Sequence, residues 1–487
     1  MRFLKFTLLF LILATMTLSA IQYHFDIVAE TPLQGFFPQV ERPDLKYFTW
    51  TRWFSQDFQE VYATRLNEYT GLRNTLIRIH NQYDYSFFGQ THAQGFLEGR
   101  NRYLYEEDYI REYNGDYFIG KKSIDQKLSR LKNVRDSLAY YHIPLILVFE
   151  SGKASIFPEY IPSRFHPKNR KQSNYDYFTE RATQIGLPFL DINPFFLKIK
   201  DTCRYPLFPR YGMHWSMYGV HLVADTIARY VAGASGVKMP EFKVHHLHLS
   251  GNSLGSDYDI GKMLNLVFPL RSTPGAYPVV SFNAIPDGKM PAMVIADSYY
   301  IQLIETYGKK MFGLQDYYYY NSSLYPHQND FPPVRADKSN FREKLLNHKV
   351  LLVMVSEINL HCAFWGFADE AFRAFHPEIL DCKQDSIENV IRSERDWFRF
   401  MVMKSKELHR PIDEIIRENA QYSFLSSYSN LPGKTSRDTI QYIRLGIWSN
   451  SDWLANVKEK AKKWNIPVDS VMLLDAINSY EQSKKKQ

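Results

Sequence analysis

A chain of 487 residues is too long for one ordinary core and implies two or three domains. Its 23% charged and 45% hydrophobic content is that of a globular protein and excludes a disordered or fibrous one. The net charge of +7 is mild over this length, and no Lys/Arg run is interleaved with stacking aromatics, so no nucleic-acid partner is expected; a modest attraction to anionic polymers or membrane surfaces is the most it supports.

Arg2 and Lys5 precede an apolar run over residues 6–14, with small or apolar residues continuing to Ala20. A basic n-region followed by such an h-region predicts export, with residues 1–20 acting as a signal peptide or N-terminal signal anchor. The run is short of the roughly 20 residues that span a bilayer, so cleavage near Ala20 and retention as an anchor both stay open. Residues 21–89 form a membrane-proximal helical lead-in, in which Trp50, Trp53, Phe54, Phe58 and Tyr62 precede Leu66, Leu72, Leu76 and Ile77, with Gly71 as an interruption. Residues 95–105 read as a turn-rich strand pair.

Residues 90–375 have an α/β pattern. Ser123 and Gln126 suggest a capping box for a helix whose face carries Ile124, Leu128, Leu131 and Leu138. The apolar run 144–149 then reads as a buried parallel strand. A second cycle runs from a Ser173 cap to Gly186 and the strand 187–190, and the runs 292–296 and 350–355 complete at least four strands. Helices alternating with buried strands predict a doubly wound, mostly parallel sheet, whose ligands sit at the carboxyl ends of the strands.

Two stretches carry chemistry. In Tyr211-Gly-Met-His-Trp-Ser-Met-Tyr-Gly219, His214 stands just ahead of a helix capped by Ser216, with Val220, Val223, Ala224, Ile227, Ala228 and Val231 on one face. In Met293-Val-Ile-Ala-Asp-Ser-Tyr-Tyr300, a strand ends on Asp297 and Ser298, and a helix from Ile301 is expected to stop at Gly308. A serine at a strand-to-helix turn, with backbone N–H groups nearby and a histidine on the same rim as base, is an arrangement for acyl transfer. The loop after the 144–149 strand places Lys153 at the same rim. The blander readings are Ser298 as a helix cap, His214 as a loop histidine, Asp257 and Asp259 as solvated acids, and Lys153 as a surface lysine. The run Tyr317 to Tyr320 is either a strand face or a platform for sugar.

Three cysteines, Cys203, Cys362 and Cys382, allow at most one disulfide, and no His/Cys/Asp spacing suggests a metal; neither metal nor cofactor is expected.

In order, Gly99-Arg-Asn-Arg-Tyr-Leu-Tyr105, Lys153-Ala-Ser-Ile-Phe-Pro-Glu-Tyr160, His214-Trp-Ser216, the acidic segment 256–264 and Asp297-Ser298 resemble the SGNH-hydrolase-like proteins of the alginate O-acetyltransferase group (AlgX/AlgJ-like, distantly DltD-like) over roughly residues 90–370. The resemblance implies an extracytoplasmic O-acetyltransferase, periplasmic or on the outer face of the membrane, that acts on an exported polysaccharide and is supplied by a membrane-bound O-acyltransferase. Ser298 would be the nucleophile and His214 the base, with Lys153 and Tyr299 as candidate substrate contacts. The chain departs from the group at Gly212, where an Asp two residues before the histidine would orient the imidazole. Asp259 and Asp257 are the candidate replacements; a carbohydrate esterase and a non-catalytic glycan-binding scaffold are the alternatives.

Residues 380–487 repeat with an offset of 56: Asp396-Trp397 with Asp452-Trp453, Lys404 with Lys460, Pro411 with Pro467, Asp413 with Asp469 and Ala420 with Ala476. Each unit reads as helix, proline turn and helix, with Asp413 and Asp469 as N-caps. Two such hairpins form an all-α module for packing or protein docking.

Overall fold

The computed structural model describes residues 2–35, 49–54, 56–166, 170–271, 273–283, 290–326, 333–376, 383–427, 436–447 and 450–485. At its centre lies a seven-stranded sheet. Strand Val350–Ser356 is its axis, paired in parallel with Leu145–Glu150 on one side and Ala292–Ala296 on the other. Phe189–Asp191 extends the first side and Gln315–Tyr319 the second, both parallel. Every residue of the three central strands is buried, which is why they read as unbroken apolar runs.

Alternate residues of these strands feed two separate cores. Leu145, Leu147, Phe149, Met293, Ile295, Leu351, Val353 and Val355 face helices Lys121–Ala139 and Asn174–Gln184. Ile146, Val148, Ala292, Val294, Ala296, Leu352 and Met354 face helix Met217–Ser235. Helices therefore cover both faces, and the sheet is doubly wound as expected.

Two short antiparallel edge strands, Ser323–Tyr325 and Val334–Arg335, were not foreseen. Tyr320 and Asn321, with φ of 47° and 53°, reverse the chain there, and so short a strand carries no periodic signal. Helix Lys121–Ala139 begins after Gly120, so Ser123 lies inside its first turn and is no cap. Ser173 does form a capping box, with Asp176. Gly308 does not stop the helix after Ser298. The helix passes through a wide turn, Ile304–Gly308, to Phe312 and ends at Gly313. A Cβ at 308 would lie 2.9 Å from the Tyr300 hydroxyl, so the glycine serves close packing.

The first C-terminal repeat, helices Arg395–Leu408 and Ile412–Ser427, joins the first core through Phe398, Met401, Ile415 and Ile416. The second, Ser451–Trp464 and Val468–Lys485, has a small core of Ile447, Val457, Val471 and Met472. The internal symmetry extends to hydrogen bonds: Trp397 Nε1 donates to Asn419 and Trp453 Nε1 to Asp475, at the same offset. Asp413 and Asp469 lie within the first turns, where a carboxylate favours the helix dipole, rather than at the caps.

At the other end, helix Arg2–Phe25 contains a 21-residue segment, Lys5–Phe25, with mean hydropathy 1.7, the one helix among the described residues long and apolar enough to cross a membrane. Its last turns pack on Gly71, where a Cβ would lie 2.3 Å from the Ser19 carbonyl. The break between helices Gln56–Tyr69 and Arg73–Phe88 thus lies at a close approach.

Candidate active site

The strand Ala292–Ala296 delivers Asp297 and Ser298 to the carboxyl edge of the sheet. Asp297 is fully buried, and its carboxylate accepts hydrogen bonds from the Ser356 N–H (3.0 Å) and hydroxyl (2.6 Å), Asn359 Nδ2 (2.8 Å) and the Tyr299 N–H (3.1 Å). It ties the Ser298 turn to the end of the neighbouring strand. Ser298 occupies the N-cap position of the next helix, yet its hydroxyl makes no capping bond. Instead Ser298 Oγ lies 2.9 Å from His214 Nε2.

His214 is held from three directions. Behind it, Ser216 caps helix Met217–Ser235 by accepting from the Gly219 N–H at 3.0 Å, and the fully buried Trp215 donates to Ser151. Below it, Lys153 is buried and its Nζ donates to the carbonyls of Leu104 (2.8 Å), Arg210 (3.0 Å) and Gly212 (2.8 Å). Those acceptors use all three donors of the ammonium; burial lowers its pKa to about 7, against the opposing charge of Asp259. The structure thus puts Lys153 under the histidine loop, not on an open rim.

On the third side stands Asp259. Its Oδ2 is 3.0 Å from His214 Nδ1, and its Oδ1 accepts the Met213 N–H at 3.0 Å. An ionised carboxylate only accepts, so His214 carries its proton on Nδ1 and leaves Nε2 to accept from the Ser298 hydroxyl. Segment 256–259 also explains Gly212: a Cβ there would lie 2.6 Å from the Ser256 carbonyl and 2.7 Å from Pro209. Gln302, on the helix after Ser298, donates to both the Trp215 carbonyl (3.1 Å) and Ser256 Oγ (2.6 Å), joining the segments of Ser298, His214 and Asp259.

Asp257 is not brought to His214. It accepts from the Met217 N–H (3.3 Å) and the Tyr277 hydroxyl (3.1 Å), and burial raises its carboxyl to about 7. Tyr299 is buried, its ring edge-on to His214 with centroids 4.9 Å apart and its hydroxyl donating to the Met213 carbonyl; it braces the loop. Tyr317 and Tyr318 are buried strand residues, whereas Tyr320 lines the open cleft within side-chain hydrogen-bonding reach of Ser298. The order of residues carried no sign of that placement, which depends on the backbone reversal at Tyr320.

As for metals, His80, Asp84 and His92 bring three potential ligand atoms within 4.8 Å of one another on the surface of the lead-in. His80 and Asp84 share a helix face, and the turn at Gly89 returns His92 to them, so linear spacing did not reveal the group.

With this geometry in place, comparison with known proteins is specific about one stretch. Residues 96–249 match the family described as "SGNH hydrolase-like domain, acetyltransferase AlgX". Over that stretch the chain is similar to an SGNH hydrolase-like domain of the AlgX type. The matched stretch contains His214 and ends before Asp259 and Ser298. A Pseudomonas putida protein named probable alginate O-acetylase AlgJ is 23% identical over 152 residues, which are 31% of this chain and 37% of that protein's length. Among solved structures, the O-acetyltransferase domain of P. putida AlgJ has a TM-score of 0.38 at 17% identity, covering 55% of this chain and 92% of that one. Pseudomonas aeruginosa AlgX gives 0.36 at 15% identity, covering 57% and 65%.

Proposed function

We propose that this protein is an extracytoplasmic O-acyltransferase that moves an acetyl group through Ser298 to hydroxyls of an exported polysaccharide. The observation that carries the reading is the unbroken hydrogen-bonded line Ser298–His214–Asp259. In the first half-reaction Ser298 Oγ attacks the donor's acetyl carbonyl carbon while its proton passes to His214 Nε2. The tetrahedral adduct collapses, the donor's ester bond breaks, and the leaving oxygen takes the proton from His214. In the second, an acceptor hydroxyl gives its proton to Nε2 and attacks the acetyl-serine, whose oxygen recovers the proton. Asp259 stays ionised throughout and offsets the charge of the imidazolium.

The apolar N-terminal helix supports export, as a signal or an anchor, and a membrane-bound O-acyltransferase is the donor this reading calls for. Water as acceptor would make the same site an esterase. The scaffold alternative rested on the glycine at 212, and the hydrogen bond between Asp259 and His214 supports the catalytic reading over it. The test is turnover of a chromogenic acetyl ester by wild type, Ser298→Ala and His214→Ala. The reading expects chromophore release with an initial burst, lost in both variants; equal release by Ser298→Ala would refute it.

A further inference from the structure

The cleft that opens at Ser298 is far larger than an acetyl group needs. Its volume is about 760 Å³, within the roughly 300–1,000 Å³ in which proteins bury whole ligands. From Ser298 it passes Tyr320, whose ring meets Trp365 edge-on at 5.5 Å between centroids. Trp365 is the last of three consecutive non-glycine residues with left-handed backbone (Ala363, Phe364 and Trp365, φ of 47°, 65° and 50°). Non-glycine residues in that region are strained and persist where the surroundings over-determine them, typically at ligand sites.

Beyond Trp365 the wall changes origin. It is helix Lys383–Ser393, which directs Ser386, Asn389, Val390 and Ser393 into the cleft at the i, i+3, i+4, i+7 spacing of one helical face. Asn389 fixes that helix to the α/β domain, donating to Asp369 (3.0 Å) and accepting from Lys127 (3.2 Å). Next in the chain, Arg395 crosses the cleft to pair with Glu106 and Asp108, so the acids at the Ser298 end are already neutralised. The cleft then offers the Ser386 and Ser393 hydroxyls, the Val390 side chain and an edge of Trp365, with the cationic Arg335, Lys338 and Arg373 also in its lining, a combination suited to hydrogen bonding the hydroxyls and acidic groups of a sugar chain.

We propose that helix Lys383–Ser393 and Arg395 form the acceptor wall of this cleft, and that the acceptor held there is a carbohydrate chain of more than one sugar. The proposal rests on Ser298 as the acyl carrier and assigns the start of the C-terminal module to substrate selection. The test uses the full chain, 4-nitrophenyl acetate as donor and a panel of neutral and uronate hexasaccharides as acceptors. Nitrophenolate release and acetylated oligosaccharide are read in the same tube. Val390→Trp, at a half-exposed position, places an indole in the cleft; Ser393→Trp, one turn on, does so independently. The expected result is a ratio of transfer to hydrolysis at least tenfold below wild type in one or both variants. An unchanged ratio in both, or a wild type that hydrolyses the donor and acetylates nothing in the panel, overturns the proposal. A wild type with no turnover above Ser298→Ala would instead refute the acyl-serine reading itself.

Discussion

Asp259 bonds His214 at 3.0 Å from a segment that leaves no room for a side chain at Gly212. The carboxylate that the alginate O-acetyltransferase group would carry two residues before the histidine is here supplied from 45 residues after it. Glycine at 212 therefore goes with the position of Asp259: a side chain there would meet the Ser256 carbonyl.

This relation predicts an asymmetry between two substitutions. Asp259→Asn should lower kcat for ester turnover by about 10²–10⁴-fold, since an amide can hold the wrong tautomer. Gly212→Asp should not rescue an Asp259→Ala chain, because its Cβ would meet the Ser256 carbonyl at 2.6 Å. It should also lower the thermal midpoint of the wild type. Recovery of activity in the double variant would contradict this.

Lys153 should act on stability before it acts on substrate. Lys153→Met leaves three buried carbonyls without their donor, at a cost of roughly 3 kcal/mol or more, and releases the backbone of Gly212. Denaturant unfolding should show the loss. The KM for a small acetyl ester should change less than kcat, whereas a substrate contact would show the reverse.

Asp257 sets part of the pH dependence of stability. Burial raises its carboxyl from the usual 3.8 to about 7, so the folded chain binds this proton more tightly than the unfolded one. Its contribution is complete below pH 4 and is lost as pH rises through 7. Asp257→Asn should therefore gain on the wild type in thermal midpoint between pH 5 and pH 8. A gap that stays constant over that range would count against the assignment.

Tyr320 should matter to chemistry more than to folding. Its phenol stands beside Ser298 at the mouth of the cleft, where a donor could meet the developing oxyanion. Tyr320→Phe should cut kcat about 10²-fold with little change in thermal midpoint; full activity would exclude the role.

Much of this was legible before any coordinates. Ser216 as cap, the buried strand before Ser298 and the shared rim of Ser298 and His214 follow from local rules of capping and burial. The offset-56 repeat was legible too, because Trp397 and Trp453 play matching parts. The acid was not decided: Asp257 and Asp259 stand two apart in one short segment, and only the path of the chain turns one to Tyr277 and the other to His214. The far wall of the cleft was hidden for a related reason, since Ser298 and Ser393 come to line one cleft only through the packing of Asn389 on Asp369. Lys153 was misleading because a lysine after a strand looks like a rim residue, while its burial depends on three carbonyls from distant segments. Cys382, one of the three cysteines, lies outside the described residues.

The most direct test of the account is the site of the acetyl group itself. The full chain, mixed with 4-nitrophenyl acetate and quenched within the burst, should gain one acetyl group by intact mass, mapped by peptide sequencing to Ser298. The adduct should be absent in His214→Ala and Ser298→Ala and slow to form in Asp259→Asn. Acetylation at another residue, or turnover that persists in Ser298→Ala, would contradict it.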